Sequence, residues 1–216
     1  MLILVSLMFC SFDGCDDDKQ DEKPNQTSLD FEFIPNGCYF VALLHESAVF
    51  GAGHVGFMLI DRDYGFSYYS ANLIDGTYTN VKSLYFINAS FSSGEYNYYK
   101  ENINNKDKLG LAEKEVLEDF DTLYKDIVRY NRGFYIPIDR NLYSEMITAA
   151  MLKSGSYNLL NYNCLHYVKE VLSVINKEGV ERVTEITPNS AFDKLSKATG
   201  GVGFDNFPKW LNSIKL

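Results

Sequence analysis

Cys164 stands where a run with helical periodicity begins, and that position gives a thiol chemical possibilities. Leu165, Val168, Val171, Leu172 and Ile175 fall on one apolar face. His166, Lys169, Glu170 and Ser173 fall on the opposite, polar face. The start of a helix carries unpaired backbone N–H groups and the positive end of the macrodipole. Both favour the thiolate, which is the nucleophilic form of cysteine. The same N–H groups could hold an oxyanion.

A thiol nucleophile needs a base. His54 lies in Gly51-Ala52-Gly53-His54-Val55-Gly56, at the opening of a strand-like run with small flanks that leave room for approach. Its imidazole could take the thiol proton and return it to a leaving group. His166 is nearer in sequence, but two residues along a helix is roughly 200° of rotation, so it points away from Cys164. His45 ends the preceding strand without a small-residue surround. A solvated or structural role suits both. Residue types alone leave a second account of Cys164 and His54 open, as two buried structural side chains.

A resemblance weighs on that choice. Gly53-His54-Val55-Gly56-Phe57-Met58-Leu59-Ile60, followed far downstream by Asn163-Cys164-Leu165-His166-Tyr167-Val168, resembles circularly permuted papain-like enzymes. These include NlpC-type peptidases and the lecithin–retinol acyltransferase family, in which the histidine precedes the cysteine. The run from Gly53 to Ser70, with Thr187-Pro188-Asn189-Ser190 and Phe192-Asp193, is similar to papain-like domains of bacterial Rhs-repeat proteins. The resemblance implies a permuted papain-like fold with Cys164 as nucleophile and His54 as base. It also implies a third polar residue on the strand after His54. The matching segment, Phe66-Ser67-Tyr68-Tyr69-Ser70, has no carboxylate or histidine. Ser70 is the expected third residue, and a hydroxyl orients an imidazole more weakly than a carboxylate.

The elements that must position these groups follow from pattern. Tyr39 to Leu44, Val55 to Asp61, Phe66 to Ala71 and Val81 to Ile87 read as strands, the first two joined as a hairpin. Residues 88 to 111 are rich in Asn, Ser, Lys and Gly and read as loop. Ala112 to Tyr130 has helical period, with Leu117, Phe120, Leu123, Tyr124 and Ile127 on one face. Phe134 to Ile138 reads as a strand whose Pro137 suggests an edge or an end. Asp139 could cap a helix from Arg140 to Lys153. Leu165 to Asn176 reads as the nucleophile helix. Ser190 and Asp193 suggest a capped helix ending near Gly200, and a short helix could follow Pro208. Strands first and helices later predict an α+β fold with an antiparallel sheet packed against helices.

The start of the chain has its own signals. Residues 1 to 9, apolar apart from Ser6, are too few for a membrane span and suit the core of a signal peptide. Ser11-Phe12-Asp13-Gly14-Cys15 before Asp16-Asp17-Asp18 resembles the export site of Bacteroides-type surface lipoproteins. That resemblance implies a signal peptide over 1–15, lipidation of Cys15 and a bacterial cell-envelope location outside the cytoplasm. Residues 16 to 30 are polar and charged and read as a flexible tether, leaving 31–216 as the domain. Cys10 and Cys15 belong to that leader, so of four cysteines only Cys38 and Cys164 remain, which is no disulfide framework. Cys38 reads as a packed core thiol.

A hydrophobic share of 46 % is enough for a sizeable core. A net charge of −9 argues against nucleic acid as a partner, since phosphates need clustered Lys and Arg. Three histidines and no Cys-x-x-Cys spacing supply no zinc template, and no cofactor is expected. Three functions fit: a peptidase or amidase on peptide or cell-wall substrates, a lipid acyltransferase or esterase on the same dyad, and a non-catalytic surface binding module. The first is the expected one, anchored to the membrane through the N-terminal lipid.

Overall fold

A computed structural model describes residues 37–73, 84–152, 162–207 and 209–210. The expected signal peptide over 1–15 with Cys15, and the expected tether over 16–30, lie outside the described residues. Among those described, the strands are β1 (Cys38–His45), β2 (His54–Asp61), β3 (Gly65–Leu73), β4 (Leu84–Phe91), β5 (Arg132–Ile138) and β6 (Val202–Asp205). The helices are α1 (Ser93–Asn102), α2 (Leu111–Ile127), α3 (Arg140–Met151), α4 (Cys164–Glu181) and α5 (Pro188–Thr199). The strands form one sheet in the order β4-β3-β2-β1-β5-β6, antiparallel at every pairing. The molecule is thus α+β with an antiparallel sheet and helices. Among the described residues, no helix is long and apolar enough to cross a membrane.

Two faces of the sheet carry two helical layers. Alternate side chains of a strand point to opposite faces. Phe40, Ala42 and Leu44 of β1 share one face with Val55, Phe57 and Leu59 of β2 and Tyr69 and Ala71 of β3. Leu165, Val168, Val171 and Leu172 of α4 close that face together with side chains of α3 and α5. Phe57 stacks on Phe40 at 5.4 Å and meets Tyr167 edge-on at 5.2 Å. The other face carries α1 and α2, where Phe66 meets Tyr96 at 5.6 Å and Tyr99 stacks on Phe120 at 4.1 Å. Burial on both sides explains why β1 and β2 read as continuous apolar runs rather than alternating ones.

Most expected elements are present, with four corrections. The stretch 88–111 is not a loop: it contains the end of β4, α1 and a 3-10 turn, Ile103–Lys108. Ser92 and Glu95 form a capping box at the start of α1, with Ser92 Oγ accepting from Glu95 N–H at 3.2 Å and Glu95 Oε2 accepting from Ser92 N–H at 2.7 Å. The helix expected from Leu165 to Asn176 opens at Cys164 and runs on to Glu181. The last long helix is capped by Thr187 and not by Ser190 or Asp193, although it ends at Gly200 in the left-handed conformation as expected. β6 had no counterpart among the expected strands. It pairs with Arg132 to Tyr135 and stops there, so among the described residues no strand pairs with Pro137 on that side, which suits a residue without an N–H.

Candidate functional site

His54 is the first residue of β2, and the chain reaches it through a tight approach. Gly53 has φ of 87°, a left-handed value that favours glycine, and a Cβ there would come within 2.3 Å of Asn189 Oδ1. The His54 residue is half-buried, but its ring is enclosed. Nε2 lies 2.9 Å from Ser70 Oγ. Tyr130 stacks against the ring at 6.1 Å between centroids. Burial first, then the positive charge that His45 could carry, pulls the imidazole down to about 4. At neutral pH it is an uncharged base.

Ser70 is fully buried on β3. Directly across the ladder from it stands Gly56. The Tyr130 hydroxyl sits over that glycine, where an added Cβ would approach it to 2.6 Å. Tyr130 is hydrogen-bonded to Ser70 and lies 2.8 Å, hydroxyl to hydroxyl, from Tyr68. Tyr68 in turn donates to Asp126 Oδ2 at 3.3 Å.

Cys164 opens α4, held by a well-made cap. Asn163 Oδ1 accepts from Leu165 N–H at 3.0 Å and His166 N–H at 3.3 Å. The Asn163 N–H returns to His166 Nδ1 at 3.4 Å. His166 therefore has a structural place, in the cap and stacked on Tyr162 at 6.1 Å. His45 pairs its Nε2 with Ser47 Oγ at 3.1 Å. Both histidines left aside on sequence grounds have local partners of their own.

The thiol reaches the histidine strand through its backbone. Its sulfur takes the N–H of Val55, the residue after His54, along with those of Leu165 and Cys164 itself. The β2–β3 ladder begins only at Gly56, so the Val55 N–H is left for the sulfur. Val55 faces α4, whereas His54 and Ser70 face α2 and Tyr130. Thiol and imidazole thus lie about the start of β2 with no hydrogen bond joining them, and Nδ1 is the ring nitrogen not engaged by Ser70. The helix start was expected to favour thiolate. Burial outweighs those three N–H groups and pushes the Cys164 thiol up to about 11. Burial thus favours the neutral form of each side chain, thiol and imidazole alike.

Cys38 is the buried core thiol expected, its sulfur donating to Asp61 Oδ2 at 3.6 Å and pushed up to about 11 by burial and that carboxylate. Among the described residues, no three His, Cys, Asp or Glu side chains cluster as a metal site.

Sequence reasoning missed Tyr130 and Asp126, and weighed Tyr68 only as an alternative to Ser70. Tyr130 follows α2 and Asp126 lies within it, so neither belongs to a strand beside His54. One signal was present in the sequence: a glycine at 56, between two apolar neighbours in a strand, marks a close approach by another group. Comparison of the chain with family models, with curated proteins and with solved structures returns no match.

Proposed function

We propose that this chain is a thiol-dependent hydrolase, a peptidase or amidase of circularly permuted papain-like type, working outside the cytoplasm on peptide or cell-wall substrates. The observation that carries this reading is the start of β2. There the His54 ring is held by Ser70 at 2.9 Å, while the sulfur of a helix-opening cysteine rests on the next residue's N–H.

Cys164 attacks the substrate carbonyl as His54 Nδ1 takes the thiol proton. The oxyanion forms beside the N–H groups that now face the sulfur. Collapse expels the amine, which receives the proton from His54 and leaves an acyl-Cys164 thioester. Water, deprotonated by His54, cleaves the thioester to acid and free thiol. A neutral resting pair suits this order, since proton removal accompanies attack and does not precede it.

The test is turnover of a panel of peptides and cell-wall fragments by the wild type, Cys164→Ala and His54→Ala. Both variants are expected to lose cleavage while keeping the wild-type circular dichroism spectrum. The acid limb of the wild-type rate profile is expected near pH 4, because the imidazole must be unprotonated and its value is lowered to about 4. Unchanged cleavage by Cys164→Ala removes the reading.

Burial of the thiol, 3 % exposed, favours a second reading in which the domain binds without turnover. Alkylation separates the two. In the hydrolase, His54→Ala slows Cys164 labelling by a small thiol reagent; in a binding module it leaves the rate as it was.

The envelope location rests on the leader, and we assign its anchor to Cys15. Cells expressing the chain with labelled fatty acid are expected to label the wild type and not Cys15→Ser.

A further inference from the structure

We propose that His45 is a positioning residue for His54: the two side chains stand opposite each other on the β1–β2 ladder against one Tyr130 ring, and a proton on His45 keeps a second proton off the His54 imidazole. The inference rests on the dyad reading above and deepens it.

The register makes the pair. His45 closes β1, His54 opens β2, and the two are direct ladder partners. Side chains directly opposite on an antiparallel ladder share a face, with Cβ atoms about 4.5–5.5 Å apart. The Tyr130 ring lies 6.1 Å from the His54 ring, stacked, and 6.5 Å from the His45 ring, edge-on. Both imidazoles thus lie on one side of the sheet, within reach of each other's charge.

The two rings differ in how they could hold a proton. His54 Nε2 meets Ser70 Oγ at 2.9 Å, and Ser70 is fully buried. His45 Nε2 meets Ser47 Oγ at 3.1 Å, and Ser47 is exposed in the turn between the strands. A hydroxyl can accept from a charged ring as well as donate to a neutral one. Solvent at Ser47 is there to stabilise a cation on His45, and the His54 ring is enclosed.

The other charges around the pair are committed elsewhere. Glu46, next to His45, has Oε1 on Arg132 at 3.0 Å and Oε2 on Asn131. Arg132 of β5 also pairs with Asp193 of α5 at 2.8 Å and Asp205 of β6 at 3.7 Å. Near His54, Tyr68 of β3 and Tyr130 bring phenols, 2.8 Å apart at their hydroxyls. Asp126 of α2 accepts from Tyr68 at 3.3 Å and lies 3.6 Å from Arg129. Cys164 of α4 approaches β2 from the other face as a buried thiol.

Like charges directly opposite on a ladder are unfavourable. His54 therefore takes a proton against burial first, and against the charge of His45 second. The pair fills in two coupled steps, the second at His54. The His54 lone pair stays available further into acid solution than burial alone would keep it.

The experiment is NMR titration of the His54 ring protons, identified by their loss in His54→Gln, in the wild type, His45→Gln and His45→Lys. His45→Gln is expected to raise the His54 midpoint by about half a pH unit, the worth of like charges directly opposite. The acid limb of cleavage should rise with it. His45→Lys keeps a charge and is expected to hold the midpoint at the wild-type value. A midpoint unmoved in His45→Gln overturns the proposal. So does an equal rise in His45→Lys, which is what a role in packing or in holding Ser47 would give. Should His45→Gln fail to fold, His45→Asn, also uncharged, takes its place with the same outcomes. The titration needs no turnover. A raised midpoint in a chain that cleaves nothing would keep the coupling and remove the hydrolase. Cleavage that needs His54, with the midpoint unmoved in His45→Gln, would keep the hydrolase and remove the coupling.

Discussion

His54 links the site to the stability of the fold. Its ring is buried neutral and lowered from 6.5 to about 4, first by burial. Between those two values the unfolded chain binds a proton that the folded chain refuses. Stability from this group is therefore complete above about pH 6.5 and is lost as pH falls towards 4. The full loss is about 3 kcal/mol. Denaturant melts of wild type and His54→Gln from pH 7 to 4 are expected to converge at acid pH, the variant showing the flatter profile. Parallel profiles would mean that the ring is solvated. At this scale the positions of Cys164 and His54 were legible in the sequence, because each opens an element and small residues flank the histidine. The sequence was partly legible for Ser70, which only the resemblance pointed to. Tyr130 and Asp126 were hidden, since a side chain that meets a sheet from within a helix or just after it leaves no periodic trace in its own segment.

Caps and glycines set the elements that carry these groups. Asn163 supplies the side-chain oxygen for two N–H groups at the start of α4, so it fixes where the helix begins and with it the direction of the Cys164 side chain. Asn163→Ala is expected to cost about 1 kcal/mol in a thermal or denaturant melt. It should also raise the alkylation rate of Cys164 as the first turn loosens and the thiol gains solvent. A melt and labelling rate equal to wild type would show that tertiary packing alone places the turn. Gly56 is the matching device on β2. In Gly56→Ala the new methyl meets the Tyr130 hydroxyl at 2.6 Å and the Tyr69 carbonyl at 3.1 Å. The loss is expected at about 1–3 kcal/mol in a denaturant melt, the usual range for overpacking. Helix α1 shows why one element escaped pattern reading. Tyr96 and Tyr99 are its only buried side chains, among Asn, Ser and Lys, and it is held by aromatic packing on Phe66 and Phe120 rather than by a continuous apolar stripe. Its signal was the Ser92 to Glu95 capping box, which is local and easily read as turn chemistry.

The whole molecule is needed to explain the approach to His54, because segments from opposite ends of the domain hold it. Residues 46–53 join β1 to β2 and contain two strained positions, Val49 with φ of 51° and Phe50 with φ of 54°. Neither residue favours the left-handed region, so the surroundings must enforce it. Asn189, at the start of α5, does much of this. Its Nδ2 donates to the carbonyls of Gly51 at 2.7 Å and Glu46 at 3.0 Å, and its N–H donates to Ala52 at 3.2 Å. Arg132 adds ion pairs to Glu46 at 3.0 Å and Asp193 at 2.8 Å, tying the same segment to β5 and α5. The Thr187-Pro188-Asn189-Ser190 motif, noticed in the sequence only as part of a resemblance, thus has a physical task. That task was not legible, since its partners lie some 140 residues away in the chain. Asn189→Ala is expected to cost about 1–2 kcal/mol, one donor being lost to the part-buried carbonyl of Glu46 and one to the exposed carbonyl of Gly51. Asn189→Asp, equal in size but without the Nδ2 donors, should lose as much, which separates hydrogen bonding from volume. Hydrogen exchange locates the effect. Amides of Gly51 and Gly53 should exchange faster in both variants, because their hydrogen bonds to Ala48 close the strained turn. Amides of Phe40 and Leu59 in the sheet core should change only by the global loss. Exchange at 51 and 53 equal to wild type would mean that the turn holds its strain unaided, and that α5 plays no part in presenting His54.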